Sequence, residues 1–206
     1  MVELYTSQGC SSCPPADKYL AELATNSDLM PLALHVDYWD YIGWADKFAQ
    51  PKFTERQHAY ARAAGKRMVY TPQMIVAGTS MVEGNDHQKV DKLIAARIGA
   101  LAVVDLAVTR NGNSIAIRAV ADAPFAAPVK VELVRYTPSE TVSIKHGENA
   151  GLSVAYHNIV TDWQTVAEWS GAEPLVMTAN VSGSGPLVVI VQKAGPSEIL
   201  AAARIE

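Results

Sequence analysis

Cys10 and Cys13 are the only cysteines in 206 residues, and they stand three positions apart between a short apolar run and a helix start. The segment reads Val-Glu-Leu-Tyr-Thr-Ser-Gln-Gly-Cys-Ser-Ser-Cys-Pro-Pro-Ala-Asp over residues 2 to 17. Gly9 suits a tight turn out of a strand, and Pro14 and Pro15 suit the first turn of a helix, where their missing N–H groups cost nothing. A helix N-terminus presents unpaired N–H groups and about half a positive charge, which favours a thiolate. Two thiols at this spacing can close a disulfide, so each can attack, resolve or accept electrons for the other. The motif therefore reads as a redox dithiol, with Cys10 as the exposed, more acidic nucleophile and Cys13 as the resolving thiol. Two other readings stay open. Half of a zinc site would need two further ligands, and no second cysteine pair or spaced histidine set stands beside it. A structural staple would close a loop too small to constrain much of the unfolded chain.

The remaining sequence bounds what the dithiol can belong to. A net charge of −4 with 18% charged residues describes an ordinary soluble chain, and its scattered basic residues argue against a nucleic-acid surface. No stretch is long and apolar enough to span a membrane; the most apolar region, 93 to 108, is interrupted by Arg97 and Asp105. Met1 is either a true start, which implies the cytoplasm, or stands where a leader was removed, which implies the periplasm or secretion. Nothing in the pattern asks for a cofactor or a resident metal.

The hydrophobic period changes near residue 102. Before it, strand and helix patterns alternate: strands at 2–6, 31–38, 73–77 and 79–83, and helices at 14–25, 51–65 and 86–100, the last capped by Asn85 with Val90, Leu93, Ile94 and Ile98 on its apolar face. That order, βαβαββα, predicts a parallel pair with a helical crossover plus a hairpin turning at Gly78. After residue 102 a two-residue period takes over, with a hairpin signal at Arg110-Asn111-Gly112-Asn113 and breaks at 182–185 and 194–197. About eight short strands in that half fit an antiparallel sandwich. The expected division is a redox domain over 1–101 and a β-sandwich domain over 102–206.

Other residues invite a functional reading. The loop Tyr38-Trp39-Asp40-Tyr41-Ile42-Gly43-Trp44 leaves the second strand at the sheet edge that also carries Cys10. Trp39 and Trp44 are therefore either a substrate platform or a packed cover for the junction between domains. Asp37 and Asp40 are either proton acceptors for the dithiol or capping groups. His35 reads as a core residue and His58 and His87 as exposed helical ones. His146-Gly147-Glu148-Asn149 reads as a turn or, with His157-Asn158, as a small binding cluster, and Trp163 and Trp169 as core or interdomain anchors.

The strand–Cys-x-x-Cys–helix arrangement, the βαβαββα order and Thr71-Pro72 ahead of a strand resemble the thioredoxin superfamily in its short, glutaredoxin-like form. The segments Tyr-Thr-Ser-Gln-Gly-Cys-Ser-Ser-Cys-Pro-Pro and His-Val-Asp-Tyr-Trp-Asp are similar to those of an uncharacterised bacterial family with many exported members, which joins a thioredoxin-like domain to a C-terminal β domain. The resemblance implies a thioredoxin-like fold for residues 1–101 and a cis peptide bond before Pro72. It also implies that Thr71 and Pro72 hold the substrate backbone beside the sulfur and keep metal from bridging the thiolates. The activity it implies is thiol–disulfide exchange on a polypeptide or a small-molecule disulfide. Ser-Ser stands here where familiar members carry Gly-Pro, Pro-His or Gly-His, so no direction of electron flow transfers. Handling of a soft metal ion such as Cu(I), or an interaction module with a sensing dithiol, are the alternative functions.

Overall fold

The computed structural model describes residues 1–98, 102–181, 183 and 185–205. Its elements run β1 (Val2–Thr6), α1 (Pro14–Leu23), β2 (Pro31–His35), α2 (Pro51–Ala63), β3 (Gln73–Val76), β4 (Ser80–Glu83) and α3 (His87–Ala95). They continue as β5 (Val104–Asn111), β6 (Ser114–Ala121), β7 (Val129–Ser143), β8 (Ser153–Trp169), β9 (Leu175–Asn180), β10 (Leu187–Lys193) and β11 (Ile199–Ile205). Eight strands share one mixed sheet in the order β11-β10-β7-β8-β2-β1-β3-β4, and β5-β6-β9 form a second. No helix among the described residues is long and apolar enough to cross a membrane.

All five residues of β1 are buried because helices cover both of its faces. Alternation along the strand sends Val2 and Leu4 toward α1 and α3, where Ala16, Leu20, Val90 and Ile94 pack on them. Tyr5 points the other way and meets Leu32 and Leu34 of β2 with Phe53 and Tyr60 of α2. Glu3, fully buried, is on the same side as Tyr5 and takes Arg56 Nε at 2.8 Å and the Tyr60 hydroxyl at 2.6 Å. An ion pair this deep holds only when its remaining bonds are made, and Tyr5 supplies another at 2.9 Å.

The expected fold class needs correction. The chain is not a βαβαββα thioredoxin-like domain followed by a separate antiparallel sandwich. Among the described residues it has eleven strands and three α-helices, and four of the later strands extend the sheet that β1 to β4 begin. The junction is the pair Ala33↔Ile159 between β2 and β8. Left as an edge, β2 would expose unpaired backbone beside Leu32 and Leu34, a configuration that folded chains avoid by pairing or covering it. Hydrophobic period identifies a strand but carries no information about which edge it joins. Only β5, β6 and β9 form a separate sheet, which packs through Ile115, Ile117 and Ala119 onto Val131, Leu133 and Val189 of the large one. The long β7 and β8, 15 and 17 residues, also replace several short strands.

Smaller differences have local causes. The helix α3 is capped by Asp86, whose carboxylate accepts the Lys89 N–H, so Asn85 is free for another task. It ends at Ala95, leaving Ile98 62% exposed beyond it. His87 stacks on Tyr19 at 3.9 Å between ring centroids instead of standing free. Trp163 lies 3.8 Å beneath the Arg56 guanidinium and anchors α2 to β8, whereas Trp169 is buried against Phe125. The boundary expected at 101/102 adjoins residues 99–101, and the break expected at 182–185 includes Ser182 and Ser184; these lie outside the described residues.

Candidate functional site

Residues 7 to 13 leave the buried end of β1 and turn directly into α1. Cys10 N–H bonds the Ser7 carbonyl and Cys13 N–H bonds the Cys10 carbonyl, both at 3.1 Å, which winds the loop into two tight turns. Cys13 is the N-cap of α1, and its carbonyl receives the N–H groups of Ala16 and Asp17. Cys10 and Cys13 are joined in a disulfide with Cα atoms 5.4 Å apart. Ser12 Oγ lies 3.5 Å from Cys10 Sγ, within donating distance of the sulfur. The expectation that Cys10 is exposed is wrong. It is 2% exposed and Cys13 is fully buried, while Ser11 and Ser12 between them face solvent.

The other expected residues gather around this loop. The Trp39 indole donates to Thr71 Oγ1 at 2.7 Å, and the Trp44 indole donates to Gln8 Oε1 at 2.8 Å. Trp39 also lies against Gly9, where an added Cβ would come within 3.2 Å of the Trp39 Cβ, close enough that the tryptophan would have to shift slightly. The Thr71–Pro72 bond is cis, as expected. Gly84 packs between Pro72 and Ala16 of α1, since a Cβ there would meet Pro72 Cβ at 2.9 Å and Ala16 Cβ at 3.1 Å. Asn85, one residue on, donates its amide to the Ser12 carbonyl at 3.0 Å. Both tryptophans are half-buried, and Trp44 packs with Phe48 on Tyr156 and Ile159 of β8, so their loop also covers the junction.

Thr6, Asp17 of α1, His35 of β2 and Asp46 form a buried polar cluster that sequence reasoning did not find. Thr6, Asp17, His35 and Asp46 are each 5% exposed or less. His35 Nδ1 is 2.6 Å from Asp46 Oδ2, which also accepts the Gln8 N–H at 2.8 Å. Asp17 follows Cys13 by four residues, one turn along the buried face of α1. Among the described residues, neither of its carboxylate oxygens meets a donor in good hydrogen-bonding geometry. Burial pushes its pKa up to about 7, against smaller pulls from His35 and the Thr6 hydroxyl and a push from Asp46. The Tyr156 ring stands edge-on to His35 at 5.0 Å, and burial, then Asp17 and Asp46, push its hydroxyl pKa up. Of the two roles open to Asp37 and Asp40, both take the local capping one. Asp37 Oδ1 accepts the Thr54 hydroxyl at 2.6 Å, and Asp40 Oδ1 accepts the Asp46 N–H at 3.0 Å.

Asn149 is the second unexpected member. It belongs to the turn between β7 and β8, far from Cys10 in sequence, and its amide nitrogen is 2.9 Å from both the Gln8 and Cys10 carbonyl oxygens. The signal for Asp17 was legible as an acid on an apolar helical face at i+4 from a cysteine. Asn149 had none.

A family model described as a protein of unknown function, DUF1223, matches residues 1–192. The chain belongs to this family. It is similar to the crystal structure of protein AGR_C_4864 from Agrobacterium tumefaciens, at 35% identity and a TM-score of 0.85, over 99% of this chain and 92% of that one. HBP35 of Porphyromonas gingivalis shares the fold at a TM-score of 0.64 but only 13% identity, over 99% of this chain and 73% of that one. No curated protein matches the sequence. The DUF1223 assignment spans both halves of the large sheet and carries no activity with it.

Proposed function

We propose that this DUF1223 protein is a thiol–disulfide oxidoreductase with thioredoxin-type chemistry, using Cys10 and Cys13 as a two-electron couple. One observation carries the reading: a Cys10–Cys13 disulfide at the N-terminus of α1, with the buried Asp17 carboxyl one turn below Cys13. In the reduced protein the Cys10 thiolate attacks one sulfur of a substrate disulfide, forming a mixed disulfide and expelling a substrate thiolate. Cys13 gives its proton to the Asp17 carboxylate and attacks Cys10 Sγ, releasing the second substrate thiolate and closing the Cys10–Cys13 disulfide. Two electrons pass to the substrate, and the reverse sequence oxidises a substrate dithiol.

Each role has a physical basis. Ser12 Oγ and the N-terminus of α1 favour negative charge on Cys10. Cys13, fully enclosed, needs an internal acceptor, and an acid with a pKa near 7 is matched to a thiol at neutral pH. Thr71, Pro72, Trp39 and Trp44, gathered around the loop, are assigned to substrate binding. Polypeptides and small disulfides both fit this chemistry.

Cys13→Ser incubated with a model disulfide or cell extract is expected to accumulate a mixed disulfide through Cys10 on non-reducing electrophoresis, and Cys10→Ser none. No adduct with Cys13→Ser, together with stoichiometric metal in anaerobically purified wild type, would replace this reading with soft-metal handling.

A further inference from the structure

We infer that Asn149 is a positioning residue for Cys10, so that the C-terminal half of the chain completes the dithiol site. The inference rests on the oxidoreductase reading and adds to it a role for the β7–β8 turn. That turn is tightly built: Ile144 N–H bonds the Leu152 carbonyl, Gly151 N–H the Ile144 carbonyl, and Leu152 N–H the Asn149 carbonyl. It presses on the redox loop at two points. Gly147 lies against Trp44, whose indole holds the Gln8 side chain, and Asn149 reaches the backbone itself.

Asn149 is 4% exposed and uses one NH2 group for two acceptors. The Cys10 carbonyl already receives the Cys13 N–H, so the Asn149 amide is its second donor and both its lone pairs are engaged. The Gln8 carbonyl is tied down by the same group. Without the amide the Gln8 carbonyl loses this donor and the Cys10 carbonyl keeps only the Cys13 N–H, and buried carbonyls so released turn or move toward new donors. The Asn149 amide thus fixes the Gln8–Gly9 and Cys10–Ser11 peptide groups and sets where Cys10 Sγ stands relative to the N-terminus of α1. It also places two N–H dipoles against carbonyl oxygens whose negative ends would otherwise oppose a thiolate next to them.

Loss of the amide is therefore expected to raise the Cys10 pKa by about one unit. A thiolate stabilised up to tenfold less makes the dithiol state less favourable, a potential about 30 mV more negative for this two-electron couple. The test uses Asn149→Leu, which keeps volume without donors, and Leu152→Ala on the same turn, where the side chain faces solvent, as the control. Alkylation rate against pH gives the Cys10 pKa, and equilibration with glutathione gives the potential. A raised pKa and lowered potential in Asn149→Leu, with Leu152→Ala like wild type, is the expected result. Lower stability with both values unchanged would make Asn149 a purely structural contact and overturn the inference. The wild type supplies an independent measurement that needs no variant. In the reduced protein the Asn149 side-chain NH2 resonances should shift with the Cys10 titration, and fixed resonances would overturn the inference too. Failure of Cys13→Ser to form any mixed disulfide would refute the oxidoreductase reading itself, and that failure is visible before Asn149 is altered.

Discussion

Asp17→Asn tests the buried polar cluster most directly, because the change swaps one ionisable oxygen for an amide of nearly the same shape. Burial raises the Asp17 pKa from the ordinary 3.8 to about 7, with His35, the Thr6 hydroxyl, Asp46 and Tyr156 as its charged and polar neighbours. Below 3.8 the group is protonated in both folded and unfolded chains and does not make stability depend on pH. Above 3.8 the unfolded chain releases the proton while the folded one keeps it, so stability falls as pH rises until the folded group ionises near 7. At about 1.36 kcal/mol per unit, the full loss is roughly 4 kcal/mol, of which roughly 2.5 kcal/mol falls between about pH 5 and pH 8. Urea unfolding of the oxidised protein across that range should show this decline in wild type and its absence in Asp17→Asn. The histidines and Met1 amine are common to both proteins, so the difference between the two curves isolates Asp17. The variant should also resolve the mixed disulfide more slowly than wild type near neutral pH, by about 10²-fold or more for the loss of a positioned base. Parallel stability curves for the two proteins would refute the argument, since Asp17 would then not be held protonated by its surroundings.

Other residues carry separate predictions. Glu3→Gln leaves Arg56 as a buried charge without its main partner and should cost about 3–5 kcal/mol in urea unfolding, and a loss under about 1 kcal/mol would show that the pair is not held in the interior. Ile159→Ala at the β2–β8 junction should cost about 2–5 kcal/mol and leave one cooperative transition by calorimetry, whereas two separate transitions would contradict a continuous sheet. Trp39→Ala and Trp44→Ala should lower turnover of a polypeptide disulfide more than reaction with a small one. Equal losses on both would mean that these rings only support the Cys10–Cys13 loop.

Much of the local structure was legible because neighbours in sequence decide it. Gly9, the dithiol and Pro14-Pro15 between an apolar strand and an amphipathic helix suffice to place two sulfurs on a helical N-terminus. The periods of Val90 and Ile94, or of Ile115 and Ile117, suffice to separate helix from strand. Asp17 was within reach by the same logic, as an acid on a buried helical face. What only the tertiary structure decided depends on which strand edges meet. The outer edge of β2 needed hydrogen-bond partners, and β8 supplied one, which turned an expected boundary between two domains into a continuous sheet. The same joining brought the β7–β8 turn onto the Cys10–Cys13 loop; Cys10, expected at the surface, is buried and its carbonyl is held by Asn149. Backbone pairing between distant strands leaves no periodic trace in a sequence. An asparagine in a turn looks the same whether it faces solvent or a disulfide 139 residues away.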